Sequence, residues 1–394
     1  MAEPSISVPD TAGTSANAVR PVRAATGALT TTIACSVPVF LVGGLAVQIG
    51  EELDFSPAGL GLAVSAYFGA SALASVPAGA LVERYGSTAV ARAGIGLASA
   101  SLLTIAVAAR SLWSLIAILA LGAGANAMGQ LASNVSLSRH VPVRRQGLSF
   151  GVKQAAIPVS TMLAGVAVPV VALTAGWRWA FVLAAVGATA ALRLVPVERD
   201  EARRSRADRG ERATAALVVI GAAATLASGA ANALGTFLVD SAVGRGIAPG
   251  PAGLALTLGS AVCVAARIGG GWQADLFPAR QIAVIAGLLA AGAVGLALLA
   301  VGGVVPLVLG VVLGFGLGWA WPGLMNFAVV RLHPQAPAAA TSITQTGVYA
   351  GGCAGPLGLG AVAHAAGYPT MWTVAGAAML AAAALMVLGS RMLR

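Results

Sequence analysis

Twelve apolar segments, joined by loops too short to bury them, constrain this chain more than anything else in it. They fall near 28–49, 58–81, 88–109, 112–138, 147–173, 177–196, 214–238, 251–273, 280–301, 304–330, 337–362 and 369–389. Each approaches the ~20 residues a helix needs to cross ~30 Å of hydrocarbon at about 1.5 Å per residue. Hydrocarbon offers no partner to a free N–H or C=O, so segments of this length must be helical. Charged residues are only 9% of the chain and the mean hydropathy is +0.88, whereas a soluble domain carries about 25% charged residues. The expected fold class is an all-α membrane protein with twelve transmembrane helices.

The one long charged stretch, Val197–Ala213, divides the chain into two sets of six. The expected domains are a disordered cytoplasmic tail (1–26), an N-terminal six-helix bundle (27–196), a cytoplasmic linker (197–213) and a C-terminal six-helix bundle (214–394). The first apolar segment is too long for the h-region of a cleaved signal peptide and is read as a retained helix. The two sets repeat. Pro57-Ala58-Gly59-Leu60 recurs 194 residues later as Pro251-Ala252-Gly253-Leu254. At an offset of 192, Leu121-Gly122-Ala123-Gly124 matches Leu313-Gly314-Phe315-Gly316, and Asn134 falls on Asn326. At 191, Ala175-Gly176 falls on Ala366-Gly367 and Gln154 on Gln345. A shared offset is hard to obtain by chance even in a chain rich in Gly and Ala. Two pseudo-symmetric six-helix bundles follow, a construction common among secondary transporters, whose sites lie between the repeats near the midplane.

Orientation follows from counting arginines, because basic residues collect on the cytoplasmic side. With the N-terminus inside, only Arg110, Arg178 and Arg245 of the 22 arginines lie outside, while the first outer loop holds Glu51, Glu52 and Asp54. Both termini are therefore expected to be cytoplasmic, in a cell membrane. This distribution makes the +10 net charge a topology signal, and lipid rather than nucleic acid the expected partner. A monomer is expected. Cys35, Cys263 and Cys353 lie in apolar spans without metal-ligand spacing, so no metal is expected. HExxH and P-loop motifs are absent from the sequence. Gly314-x-Gly316-x-Gly318 sits inside an apolar helix and reads as close helix packing. Neither enzymatic activity nor a cofactor is expected.

The loop after the second span, Gly79-Ala80-Leu81-Val82-Glu83-Arg84-Tyr85-Gly86, resembles the G-x-L-a-[DE]-R-x-G signature of the major facilitator superfamily. A degenerate copy, Gly271-Trp272-Gln273-Ala274-Asp275, follows the eighth span, and Gly176-Trp177-Arg178-Trp179-Ala180-Phe181 also looks like that superfamily. The resemblance covers essentially the whole chain and implies the twelve-helix fold. It also implies a conformational latch at Gly79, Glu83, Arg84, Gly86 and Asp275. Gly79 is expected to allow close helix approach and Gly86 a turn at positive φ. Ser87 and Thr88 stand where the family continues with basic residues, which points to a weaker latch. Proton-driven drug exporters of the superfamily carry an arginine early in the fourth span and Gly-Pro in the fifth. Here the fourth span has no arginine and the fifth has Ile157-Pro158.

Two cations inside spans mark the candidate site. Lys153 is the only lysine in 394 residues and sits about six residues, roughly 9 Å, into the apolar run that begins near Gly147 at the Arg144–Arg145 end. A charge at that depth is costly and points to function. Arg267, in Ala266-Arg267-Ile268-Gly269-Gly270-Gly271, resembles the arginine of R-x-x-G-G segments in monocarboxylate and nitrate/nitrite porters, which implies anion binding. In motif the chain thus most resembles anion porters of the monocarboxylate, nitrate/nitrite or cyanate type. A polar wall is expected around the pair. Gln154 adjoins Lys153, Asn126, Gln130 and Asn134 form an i, i+4, i+8 stripe on the fourth span, and Trp321, Asn326 and Gln345 are the counterparts on the tenth and eleventh. The expected function is secondary active transport of a small organic or inorganic anion by alternating access, inward. The alternative is efflux of drugs or metabolites. A co-transported proton, uniport and anion exchange all stay open as modes of coupling.

Overall fold

The structure, a computed structural model, describes residues 21–197, 214–277, 281–332 and 337–393. Residues 1–20 of the expected tail and 198–213 of the expected linker lie outside the described residues. The first helix, Pro21–Gly44, begins earlier than the hydropathy boundary suggests.

Nine helices among the described residues are long and apolar enough to cross a membrane. Pro57–Ala108 (52 residues) and Pro337–Met392 (56 residues) are each long enough to cross twice, and each is broken by one glycine, Gly86 (φ 81°) and Gly367 (φ 81°). They provide the second and third spans and the eleventh and twelfth. The fourth span is Leu112–His140, the fifth Gln146–Ala175, the seventh Ala215–Val243, the eighth Pro249–Leu276, the ninth Gln281–Ala300 and the tenth Val304–Leu332. Trp177–Ala191, extended by a 3-10 turn to Leu194, is the sixth. Twelve spans result. No strand occurs among the described residues.

The sequence repeat has a structural counterpart in the backbone. Gly176 (φ 96°, ψ 151°) and Gly367 (φ 81°, ψ 166°), paired by the repeat, adopt nearly the same conformation, one that side chains with a Cβ rarely tolerate. The matched Leu-Gly-x-Gly segments are where the fourth and tenth spans break. The fourth is interrupted between Gly122 and Gly124, and the tenth passes through a wide π turn at Gly314–Gly318. Local capping fixes other ends. Ser56 Oγ accepts from Gly59 N ahead of the second span, and Ser111 and Ser114 form a capping box ahead of the fourth.

The halves meet along the fifth and eighth spans and along the second and eleventh. A Cβ on Gly151 would stand 2.5 Å from the Arg267 carbonyl oxygen, and one on Gly271 would stand 2.6 Å from that of Gly147. Only glycine permits backbones to approach this closely. At the opposite end Ser65 Oγ donates to the Cys353 carbonyl across the halves at 2.5 Å. Large apolar side chains such as Leu73, Val76, Trp113 and Leu121 lie on the outer surface, where a bilayer would cover them.

Candidate substrate cavity

Pro158 has no N–H, so it cannot occupy the carbonyl of Gln154 four residues earlier in the fifth span. Arg267 occupies it instead, its Nη1 donating to the Gln154 oxygen from the eighth span. The break in the tenth span exposes a second carbonyl, that of Trp319, which accepts from Arg267 Nε (3.0 Å) and Nη2 (2.7 Å). The guanidinium also lies 5.7 Å from the centroid of the Trp319 ring. Arg267 is 2% exposed and ties three spans together. Three of its five N–H donors are used in this way, leaving two.

Lys153 is 1% exposed, and its Nζ donates to Gln130 Oε1 of the fourth span. It stands within electrostatic reach of Arg267. Its side chain does not line the central cavity, whereas its partner Gln130 does.

That cavity, about 70 Å³, lies between the halves. Of the residues selected from sequence, Asn126, Gln130, Gln154 and Arg267 line it, as do Trp321, Asn326 and Gln345. Asn134 does not, and its Oδ1 is buried without a hydrogen-bond partner. The reason is geometric. Each i+4 step turns about 40° around a helix, so the third member of the fourth-span stripe has rotated away from the first. Sequence reasoning missed Ser36, Phe40, Tyr67, Phe68, Asn232 and Tyr349, which also line the cavity. A signal existed for some of them. Asn232 and Ser228 are polar residues one turn apart in an apolar helix, and Asn232 Nδ2 donates to the Ser228 carbonyl at 2.8 Å. Tyr67 has its hydroxyl fixed by the Cys35 carbonyl (2.8 Å), and Asn126 Nδ2 donates to Ser71 Oγ (3.3 Å).

Two buried polar atoms of cavity-lining residues, Trp321 Nε1 and Gln154 Oε1, have no partner among the described residues. Arg267 is the only charged side chain on that wall, and no carboxylate lines it among the described residues. A larger cavity of about 520 Å³ lies between the first, fifth and sixth spans. Thr30 is its only polar lining residue, and lining residues such as Val170 and Leu183 are exposed at the surface. It is a lipid-side groove with no group to orient a polar ligand.

The latch residues separate. Asp275 accepts from the backbone N–H of Gly147 (2.8 Å) and of Leu148 (2.9 Å), so a carboxylate of the C-terminal half caps a helix of the other half. This end of the molecule also holds Gly86, whose φ of 81° makes the turn between the second and third spans. Glu83 and Arg84 are exposed, and Arg84 lies 5.3 Å from the centroid of the Tyr85 ring. Gly79 departs from expectation. Nothing lies within 4 Å of where its Cβ would stand, because that stretch of the second span meets no neighbouring backbone.

At the opposite end Glu52 ties the first outer loop to the sixth span. Arg178 Nη2 and Trp177 Nε1 donate to its two oxygens, each at 2.6 Å, while Arg178 also donates to the carbonyls of Ala106 and Ala109. The Arg178 hydrogen bond holds the Glu52 carboxyl below its ordinary value, against the opposing effect of partial burial.

Comparison with known proteins agrees with this architecture. A mutant form of the nucleoside transporter NupG matches with a TM-score of 0.68 at 14% identity, over 94% of this chain and 99% of its own. A bacterial homolog of the human lysosomal transporter Spinster, in an inward-facing and occupied conformation, gives 0.73 at 16%, over 94% and 96%. The human organic anion transporter MFSD10 gives 0.67 at 14%, over 93% and 99%. No curated protein matches the sequence. Identities this low establish a shared fold. Residues 28–356 match the description of the Major Facilitator Superfamily, and the chain belongs to that superfamily of membrane transporters.

Proposed function

We propose that this transporter carries a small organic or inorganic anion into the cell by alternating access, together with a proton. The observation that supports this is the pair Arg267 and Lys153. Both are buried, each is within reach of the other's field, and no acidic side chain lines the cavity between the halves among the described residues. Buried charge without a counter-charge is costly, and an anionic substrate would supply what the protein lacks. Arg267 retains two donors for it, and a planar guanidinium suits two carboxylate or nitrate oxygens. The proton has an electrical reason. Moving one negative charge into an inside-negative cell costs about 2.3 kcal/mol per 100 mV, and a cation travelling with it removes that cost.

The arginine distribution supports placing both chain ends in the cytoplasm of a cell-membrane protein. In a Cys353→Ser background, a cysteine at Ser138 should react with an impermeant maleimide only from inside and one at Ser111 only from outside; the reverse pattern would invert the topology.

The substrate reading is tested by ligand-induced stabilisation of purified protein with acetate, nitrate, cyanate and tetraethylammonium. The anions should raise the unfolding midpoint and the cation should not. Stabilisation by the cation alone would favour the efflux reading. Proteoliposomes with an imposed proton gradient then test direction: uptake of the stabilising anion should follow an inward proton gradient and stop when it collapses.

A further inference from the structure

We infer that the anion carries an aromatic ring, so that the substrate class is an aromatic monocarboxylate. This rests on the anion reading above and narrows it. Six of the twenty residues lining the cavity are aromatic, Phe40, Tyr67, Phe68, Trp319, Trp321 and Tyr349, in a chain whose aromatic content is 5%. They come from the first, second, tenth and eleventh spans and so from both halves. Several already meet edge to face. Tyr67 and Phe68 have centroids 5.5 Å apart at 85°, and Phe40 meets Trp319 across the halves at 6.0 Å and 62°. Aromatic rings favour this edge-to-face geometry with one another, and a planar ring entering among them meets both faces and edges.

The polar groups beside the rings form a cluster of donors. Arg267 has two N–H groups beyond those given to Gln154 and Trp319. Trp321 Nε1 is a buried donor without a partner. An ammonium has only donors, so the Lys153 bond fixes Gln130 with Oε1 toward Lys153 and leaves its N–H2 group for other partners. Gln154 Oε1 is buried without a partner on the same wall, and turning this amide over would place N–H there. The tenth span brings both features together within three residues: the Trp319 carbonyl holds Arg267, and Trp321 supplies both ring and N–H. An acceptor-only head on a flat apolar body matches this arrangement; nitrate or cyanate would leave the rings unused.

The test measures binding to purified protein by isothermal titration with benzoate, cyclohexanecarboxylate, acetate and benzyl alcohol. Benzoate should bind at least tenfold more tightly than acetate and more tightly than cyclohexanecarboxylate, with benzyl alcohol weakest. Acetate equal to benzoate overturns the ring inference and leaves the anion reading standing. Cyclohexanecarboxylate equal to benzoate overturns aromaticity in the same way. Benzyl alcohol binding while benzoate does not overturns the anion reading itself, and absence of binding by all four overturns both. Trp321→Phe, which keeps a ring and removes the donor, should weaken benzoate about tenfold without moving the unfolding midpoint. Unchanged benzoate affinity in that variant would remove Trp321 from the carboxylate site.

Discussion

The Gln154 carbonyl accepts a hydrogen bond from Arg267 Nη1 across the boundary between the halves, at a position where Pro158 has emptied the helix ladder. A proline in one half thus creates the acceptor that holds the charged residue of the other. On the alternating-access cycle proposed above, this bond would break or shift as the halves move. An anion that competes for the same guanidinium would be a natural trigger.

Arg267 consequently has two roles, and its variants should show both. Arg267→Gln should abolish anion binding and also lower the unfolding midpoint, because hydrogen bonds from a charged donor contribute about 1.5–3 kcal/mol each. Arg267→Lys should recover only part of either property, since an ammonium cannot reproduce the fork that reaches both carbonyls. Thermal unfolding and titration of the same preparations check this; a Gln variant with wild-type midpoint and affinity would sink it.

Lys153 should behave differently. Among the described residues it bonds Gln130 and pairs with no carboxylate. Lys153→Met should keep or raise the unfolding midpoint, because replacing a buried unpaired charge by an apolar group is often neutral or stabilising. The affinity for the anion should fall about tenfold, equivalent to ~1.4 kcal/mol, through the lost field and the released Gln130 amide. Undiminished affinity would leave Arg267 as the only cation that matters.

Asp275 bonds Gly147 and Leu148 across the halves only while this end of the interface is closed. Asp275→Ala should cost about 1 kcal/mol, in the range of a lost helix cap, and shift the population toward the state open at this end. Faster maleimide reaction of a cysteine at Ser149 in the Asp275→Ala background would report the shift. Asp275→Asn retains one acceptor and should fall between. Equal rates in all three proteins would mean that the cap does not bias the cycle.

The Glu52 clasp predicts an acid sensitivity of limited size. Its folded carboxyl titrates below its ordinary value, so its contribution is present above the ordinary glutamate range and is lost as pH falls through the folded value. At neutral pH nothing changes. The Glu52 side chain is 47% exposed, so solvent screening keeps the contribution small. The difference in unfolding midpoint between wild type and Glu52→Gln should be constant from pH 8 to 6, begin to shrink near the ordinary glutamate value, roughly pH 4, and vanish only below the lower folded value. A difference that does not shrink at all between pH 6 and roughly pH 3 would show that the clasp does not depend on ionisation.

Much of the architecture was readable from residues alone because the bilayer leaves so few choices. Span number, helical state and the two related sets follow from hydropathy and from matched segments such as Leu121–Gly124 and Leu313–Gly316. The turn at Gly86 was also readable, since a glycine between two spans answers a local backbone need. Arg267 and Lys153 stood out because charge inside an apolar helix is conspicuous.

Only the tertiary structure decided where those conspicuous groups point. Asn126 and Asn134 share a stripe in sequence, yet about 80° of accumulated rotation leaves one in the cavity wall and the other outside it. Lys153 is held behind Gln130, and the Gly79 surface meets nothing in this arrangement. Phe40, Tyr67, Phe68 and Tyr349 carried no sequence signal, because an aromatic side chain in an apolar span looks the same whether it meets lipid or ligand. Hydropathy reports what a helix prefers to be buried in. The rotation and depth at which it packs are set by contacts between residues more than a hundred positions apart, such as Gly147 with Asp275, and those contacts exist only once the two halves have closed on each other.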